Sequence, residues 1–209
     1  MAEPARARSM THAEFLAFEA QSDERHAFHD GELFSMAGGT RMHGMVATQL
    51  ATVLNQQLRA AGRPCFACGS DVRVSPSEGD STYPDVTVTC PPVVAPPWDP
   101  EAIANPVAIV EVLSPPTADW DRGGKFTLYQ RFATLRHYLL AHADAWHVQH
   151  RARQADGSWR LTEHGADDVL HLEALGVELA VAEIYAPMLA LGGPARDTRP
   201  VERPPRVRG

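Results

Sequence analysis

Two carboxylates are set apart by their neighbours. Asp85 follows Pro84 and opens the alternating run of "STYPDVTVTC". Glu111 lies inside "NPVAIVEVLSP", where a charge interrupts a buried strand at considerable desolvation cost unless it meets a cation or a hydrogen-bond donor. Hard divalent cations such as Mg²⁺ take oxygen ligands, so two acids delivered by adjacent strands could hold one ion at a sheet edge. Lys125, further along, could position an attacking water or offset charge that grows on a phosphate in a transition state. Each residue also has a plainer reading: Asp85 as a strand-edge cap, Glu111 at an exposed edge, Lys125 as a solvated helix charge.

These side chains need elements to carry them. Thr11 and Glu14 have capping-box spacing, which predicts a helix from about Thr11 to Ala20. Asp30-Gly31 between two β-compatible runs predicts a hairpin, with Glu32 opening the returning strand. Met42, Met45, Val46, Leu50, Val53, Leu54 and Leu58 recur at helical spacing, and Gly62 supplies a stop. Strands are expected around "PCFAC", "DVRVS" and "PDVTVTC", then at "VAIVEVL" as a buried central strand. Phe126, Tyr129 and Phe132 predict a helix from about Asp121 to Thr134 after a Gly-Gly entry, with Lys125 in its first turns. "RHYLLAHA", "AWHVQHR" and "SWRLTEH" read as strands, the last two joined at Asp156-Gly157. The expectation is one α+β domain over residues 1–191, a mixed central sheet flanked by helices with an N-terminal helix and hairpin, followed by a flexible Pro/Arg-rich tail over 192–209.

Composition bounds the function. A chain of 209 residues with 44% hydrophobic and 22% charged residues can bury a real core. No apolar run is long enough to span a bilayer, and the start "MAEPARARSM" lacks the apolar segment of a secretory signal, so the expected compartment is the cytoplasm. A formal charge of −7 argues against nonspecific nucleic-acid binding driven by bulk electrostatics. Three cysteines, an odd number, are expected as free thiols; Cys65 and Cys68 form a lone C-x-x-C whose side chains would face opposite sides of a strand. His142, His147 and His150 are spaced too irregularly to converge on a metal.

The order "YPDVTV", "AIVEVLSPPT", "DRGGKFTLYQ" and "RHYLLA" resembles the Uma-two type family of "putative restriction endonucleases" within the PD-(D/E)XK nuclease superfamily. The resemblance covers most of the chain, including "THAEFLAFE", "HDGELFSM" and the helix carrying His43; only the tail lies outside it. It implies a restriction-endonuclease-like fold and Mg²⁺-dependent hydrolysis of DNA phosphodiesters, with Mn²⁺ able to substitute. It further implies Asp85 and Glu111 as metal ligands and catalytic acids, the Val112 backbone carbonyl as a third ligand, and Lys125 as the basic partner. Glu32 and His43 fall at further site-proximal positions, and Tyr129 is placed to brace the site. One departure from the superfamily pattern is Leu113, which stands where a lysine is expected two places after the second acid. That departure and the acidic charge sustain an alternative, a nuclease-fold binding module without hydrolysis. A histidine metal site ranks third. A homodimer through sheet-edge pairing is compatible with either of the first two.

Overall fold

The computed structural model describes residues 9–36, 39–114 and 118–196. Its centre is a six-stranded mixed sheet in the order β10-β9-β8-β7-β6-β3. The strands are β3 (Phe66–Gly69), β6 (Val86–Thr89), β7 (Pro106–Leu113), β8 (His137–His142), β9 (Val148–Arg153) and β10 (Trp159–His164). Among the described residues β7 and β8 are its one parallel pair. Parallel neighbours need a crossover, and the chain supplies one in the helical segment that carries Lys125.

Strand β7 is buried on both faces, which is why its sequence is nearly continuous in apolar residues. Val110 and Val112 face a core with α2 (Arg41–Ala60), from which Val46, Leu50, Val53, Leu54 and Leu58 project. Ile109 and Leu113 face a second core with Val74, Tyr129, Phe132, Leu135 and Tyr138. Glu111 shares the parity of this second group. Behind α2, a hairpin of β11 (Val169–Leu172) and β12 (Val177–Ala180) and helix α5 (Val181–Tyr185) complete the first core.

A four-stranded sheet, in the order β2-β1-β5-β4, comprises β1 (His26–His29), β2 (Glu32–Ser35), β4 (Val74–Ser77) and β5 (Asp80–Thr82). Helix α1 (His12–Glu19) carries the expected capping box: the Glu14 amide donates to Thr11 Oγ1, and the Thr11 amide donates to the Glu14 carboxylate. Phe15 from α1 stacks on Phe28 from β1 at 5.1 Å. At the hairpin, Asp30 and Gly31 both have positive φ, 49° and 84°, the mirror-image turn that matches strand twist. Helix α2 starts at an N-cap, Thr40, and stops at Gly62, whose φ is +64°.

Three expectations are corrected. The helix predicted over 121–134 begins earlier and ends earlier: α3 (Ala118–Trp120) runs into a π-helical turn (Asp121–Lys125) and then α4 (Phe126–Tyr129). Gly123-Gly124 lies inside it rather than at its entry, because the Trp120 ring fills the space beside residue 124, where a Cβ would fall 1.9 Å from a ring carbon. The strand expected in "DVRVS" starts at Val74, and β5 has no counterpart among the predicted strands. The thiols of Cys65 and Cys90 are not free: β3 runs antiparallel to β6 with Phe66 opposite Thr89, so the next pair outward faces across the ladder at a Cα separation of 4.1 Å and closes as a disulfide. Cys68 alone is free, and it packs toward the second core while Cys65 lies in the first, as their spacing requires. At the start of the expected tail, the Trp146 indole donates to the Pro194 carbonyl at 2.8 Å, and Arg196 pairs with Asp167. Residues 197–209 lie outside the described residues.

Candidate active site

The register of β6 and β7 sets the two acids side by side. Val86 pairs with Val110, so one step outward Asp85 stands opposite Glu111. The Val112 amide, beyond the end of β6, donates to Asp85 Oδ2 at 2.7 Å. The N–H and C=O of one strand residue face the same neighbour, so the Val112 carbonyl is directed toward this strand end too. From the first-core side, His43 near the start of α2 brings Nε2 to 3.2 Å from the same Asp85 oxygen. That contact raises the imidazole pKa against the opposing effect of burial, and the charges of Asp85 and Glu111 add to it. Gly39 is needed for this approach, since a Cβ there would lie 2.5 Å from His43 Nδ1.

Glu111 is 2% exposed and fully partnered. Tyr129 Oη donates to Oε1 at 2.6 Å, and Lys125 Nζ lies 3.0 Å from Oε2. Burial, opposed by Lys125 and reinforced by the charges of Asp85 and Asp121, leaves the Glu111 carboxyl pushed up to about 7. Lys125 is itself drawn down by burial, but Glu111 and Asp121 outweigh that and hold the ammonium above an ordinary lysine. The crossover thus folds back over the strand end and returns Lys125 to Glu111. Phe126, Tyr129 and Phe132 serve the core, as their spacing suggests.

Asp121 is a member of this cluster that sequence reasoning missed. It is 2% exposed, one helical turn before Lys125, with Oδ1 at 2.9 Å from Nζ. The signal is an acid four residues ahead of the lysine in "DRGGK". The turn holding both is π-helical, a local widening frequent at functional sites. Its frame is fixed by Tyr138, whose hydroxyl donates to the Asp121 carbonyl at 2.7 Å.

Glu32 stands apart. It is exposed on β2 opposite His29, and none of the contacts that join Asp85, Glu111, Lys125, Tyr129 and His43 includes it. Leu113, 5% exposed, packs in the second core, which explains why a lysine is absent there. The histidines are dispersed among separate pairs. His137 Nε2 accepts from the Ala174 amide, so its Nδ1 carries the proton donated to His150 Nε2, at 3.0 Å. His142 stacks on His147, and His147 Nε2 meets Glu163 at 2.5 Å. Among the described residues no group of three or more His, Cys, Asp or Glu is arranged to hold a metal.

The donor set nonetheless suits a hard cation. Glu111 and Asp121 flank the Lys125 ammonium, and Asp85 adds a third carboxylate close enough to act on Glu111, an excess of negative charge in a largely buried setting. Mg²⁺ usually keeps several waters and takes only one or two protein carboxylates, so Asp85, Glu111 and a carbonyl are a fitting set. A cleft of about 590 Å³ opens on Asp85 and His43 and runs along α2 toward Asn55, with Arg25 on its wall.

A mixed sheet flanked by helices, with paired acids at the junction of two central strands, defines a restriction-endonuclease-like fold. The crystal structure of a "putative nuclease belonging to DUF820" from Anabaena variabilis superposes with a TM-score of 0.67 at 16% identity, covering 85% of this chain and 98% of that one. The chain belongs to the Uma2 family, described as "Putative restriction endonuclease", whose pattern matches residues 12–182. Two relatives from Synechocystis are uncharacterized proteins: slr1290, 34% identical over 82% of this chain and 89% of its own length, and sll1609, 32% identical over 74% and 86%. Among the described residues no helix is long and apolar enough to cross a membrane.

Proposed function

We propose that this protein is a Mg²⁺-dependent endonuclease that hydrolyses DNA phosphodiester bonds, with Mn²⁺ able to substitute. The observation that carries the reading is the lysine ammonium held between Glu111 and Asp121, with Asp85 opposite Glu111 at the strand end. Asp85, Glu111 and the Val112 carbonyl would hold the metal, which when bound supplies charge neutralisation at the phosphate and a lowered pKa for a coordinated water. Val112 N–H and His43 fix the Asp85 carboxylate, and Tyr129 fixes that of Glu111. Lys125 keeps its proton, so it acts as a hydrogen-bond donor and fixed charge for a phosphate oxygen rather than as a base. We extend the reading to a cytoplasmic homodimer paired through a free sheet edge.

The test is cleavage of plasmid and single-stranded DNA with Mg²⁺ or Mn²⁺ by the wild type, Asp85→Ala and Glu111→Ala, with calorimetry of metal binding. Metal-dependent cleavage lost in both variants is the expected result; cleavage surviving both belongs to a contaminant. Leu113 and the overall charge favour a second reading, a nuclease-fold binding module, which predicts nucleic-acid or protein binding with no hydrolysis.

A further inference from the structure

Phe126, Tyr129 and Phe132 are committed to the core, yet Trp120 on the crossover helix and Phe34 on β2 are not. Trp120 is 48% exposed and directly precedes Asp121. Its ring lies against Gly124, next to Lys125, where the missing side chain lets it rest on the helix backbone. On the hairpin the His29 ring lies 6.0 Å away, tilted by 59°. On β2, Phe34 is also 48% exposed, and by strand alternation it shares the hairpin face of His29 and Glu32.

Guanidinium groups accompany these rings, one of them in an ion pair with the buried Asp80. His29 Nδ1 and the Arg131 guanidinium meet on the same Asp80 carboxylate, so a guanidinium sits beside the imidazole. Arg122, on the π-helical turn, lies 3.8 Å from the exposed Asp119. Exposed rings near guanidinium groups suit unpaired nucleobases, because every base has a face to stack while phosphates follow the cations. Stacked bases inside a duplex offer no such face.

The geometry points to Trp120, with Phe34, as a stacking platform for unpaired bases flanking the scissile phosphate, so that the substrate is a single-stranded or splayed nucleic acid. This rests on the nuclease reading, but its test does not require catalysis. Anisotropy titrations in EDTA would compare a labelled oligothymidylate of about 12 nucleotides with a duplex of equal length. The single strand is expected to bind the wild type at least about ten-fold more tightly than the duplex. Trp120→Ala should lose roughly ten-fold in single-strand affinity, Trp120→Phe only about two-fold, with duplex affinity unmoved. Gly124→Ala, which displaces the ring, should resemble Trp120→Ala. Equal single-strand binding by wild type and Trp120→Ala, or no preference over duplex, overturns the proposal. If single-strand binding depends on Trp120 while neither plasmid nor single-stranded DNA is cut with Mg²⁺ or Mn²⁺, the nuclease reading fails and the platform stands. If DNA is cut with unchanged KM in Trp120→Ala, the platform alone fails.

Discussion

Lys125 Nζ lies 3.0 Å from Glu111 Oε2, a buried ion pair that ties the crossover helix to the central strand of the sheet. Burial penalises the charge on each member, and the partner's opposite charge offsets that penalty.

Lys125→Met keeps the bulk and removes the charge, leaving Glu111 without a cation. The expected loss of stability is about 3 kcal/mol when the glutamate is ionised. Glu111 is already pushed up to about 7, so below that pH it takes a proton and the loss shrinks. The sign follows: a carboxyl raised in the folded state favours folding at low pH, and that contribution disappears as pH rises through about 7. Urea unfolding of both proteins above and below this pH checks it, and an equal loss at both contradicts the pairing.

Tyr129→Phe removes the hydroxyl that donates to Glu111 Oε1 at 2.6 Å in a buried setting. An acceptor left without a donor costs about 1–3 kcal/mol. The Glu111 carboxyl should also titrate higher than in the wild type, since this hydrogen bond favours the ionised form. Carboxyl infrared bands followed against pH report the second effect, which a purely steric role would not move.

Acid lability should trace to the buried His137 and His150 pair. Burial holds His137 down at about 4 and His150 at about 3. Both are neutral when folded and gain a proton on unfolding, so their stabilisation is complete above an unfolded histidine's pKa and is lost as pH falls through these values. Counted for His137 alone, the contribution is on the order of 3 kcal/mol, and the two rings titrate as a coupled unit. His150→Gln preserves an acceptor for His137 and should flatten the fall in melting temperature between neutral pH and about 4. An unchanged profile would place the lability elsewhere.

Thiol titration should find one reactive cysteine in the native, oxidised chain and three after denaturation and reduction. The Cys65–Cys90 bond closes a loop with a sequence separation of 25, so a Cys65→Ser, Cys90→Ser double variant should lose about 3 kcal/mol. Three thiols in the untreated protein would show the bond absent.

Local rules carried the outer elements well. The capping box at Thr11, the Asp30-Gly31 turn and the long stripe of α2 each rest on contacts a few residues apart, which sequence displays directly. Glu111 was legible because it breaks an apolar run, and Asp85 because of the order of motifs around it. The disulfide was not, since the pairing of Cys65 with Cys90 follows from the alignment of β3 on β6. Nor was the continuous helix through Gly123-Gly124, where a tryptophan four residues back overrides the breaking tendency of glycine. Asp121 was missed although it falls at the start of the expected helix, because an acid four residues ahead of a lysine reads as an ordinary surface ion pair until burial is known.

The lone parallel pairing of β7 with β8, among the described residues, reaches beyond architecture. No tight turn can connect such strands, so the chain must arch over the sheet between them, and the ammonium rides on that arch. Its reach is therefore a matter of span: adding or deleting a few positions between Leu113 and Lys125 could leave every strand in register while sliding the cation off its acids. A single insertion of that kind would uncouple the scaffold from its chemistry, giving evolution a short path from a cutting protein to one that only holds on.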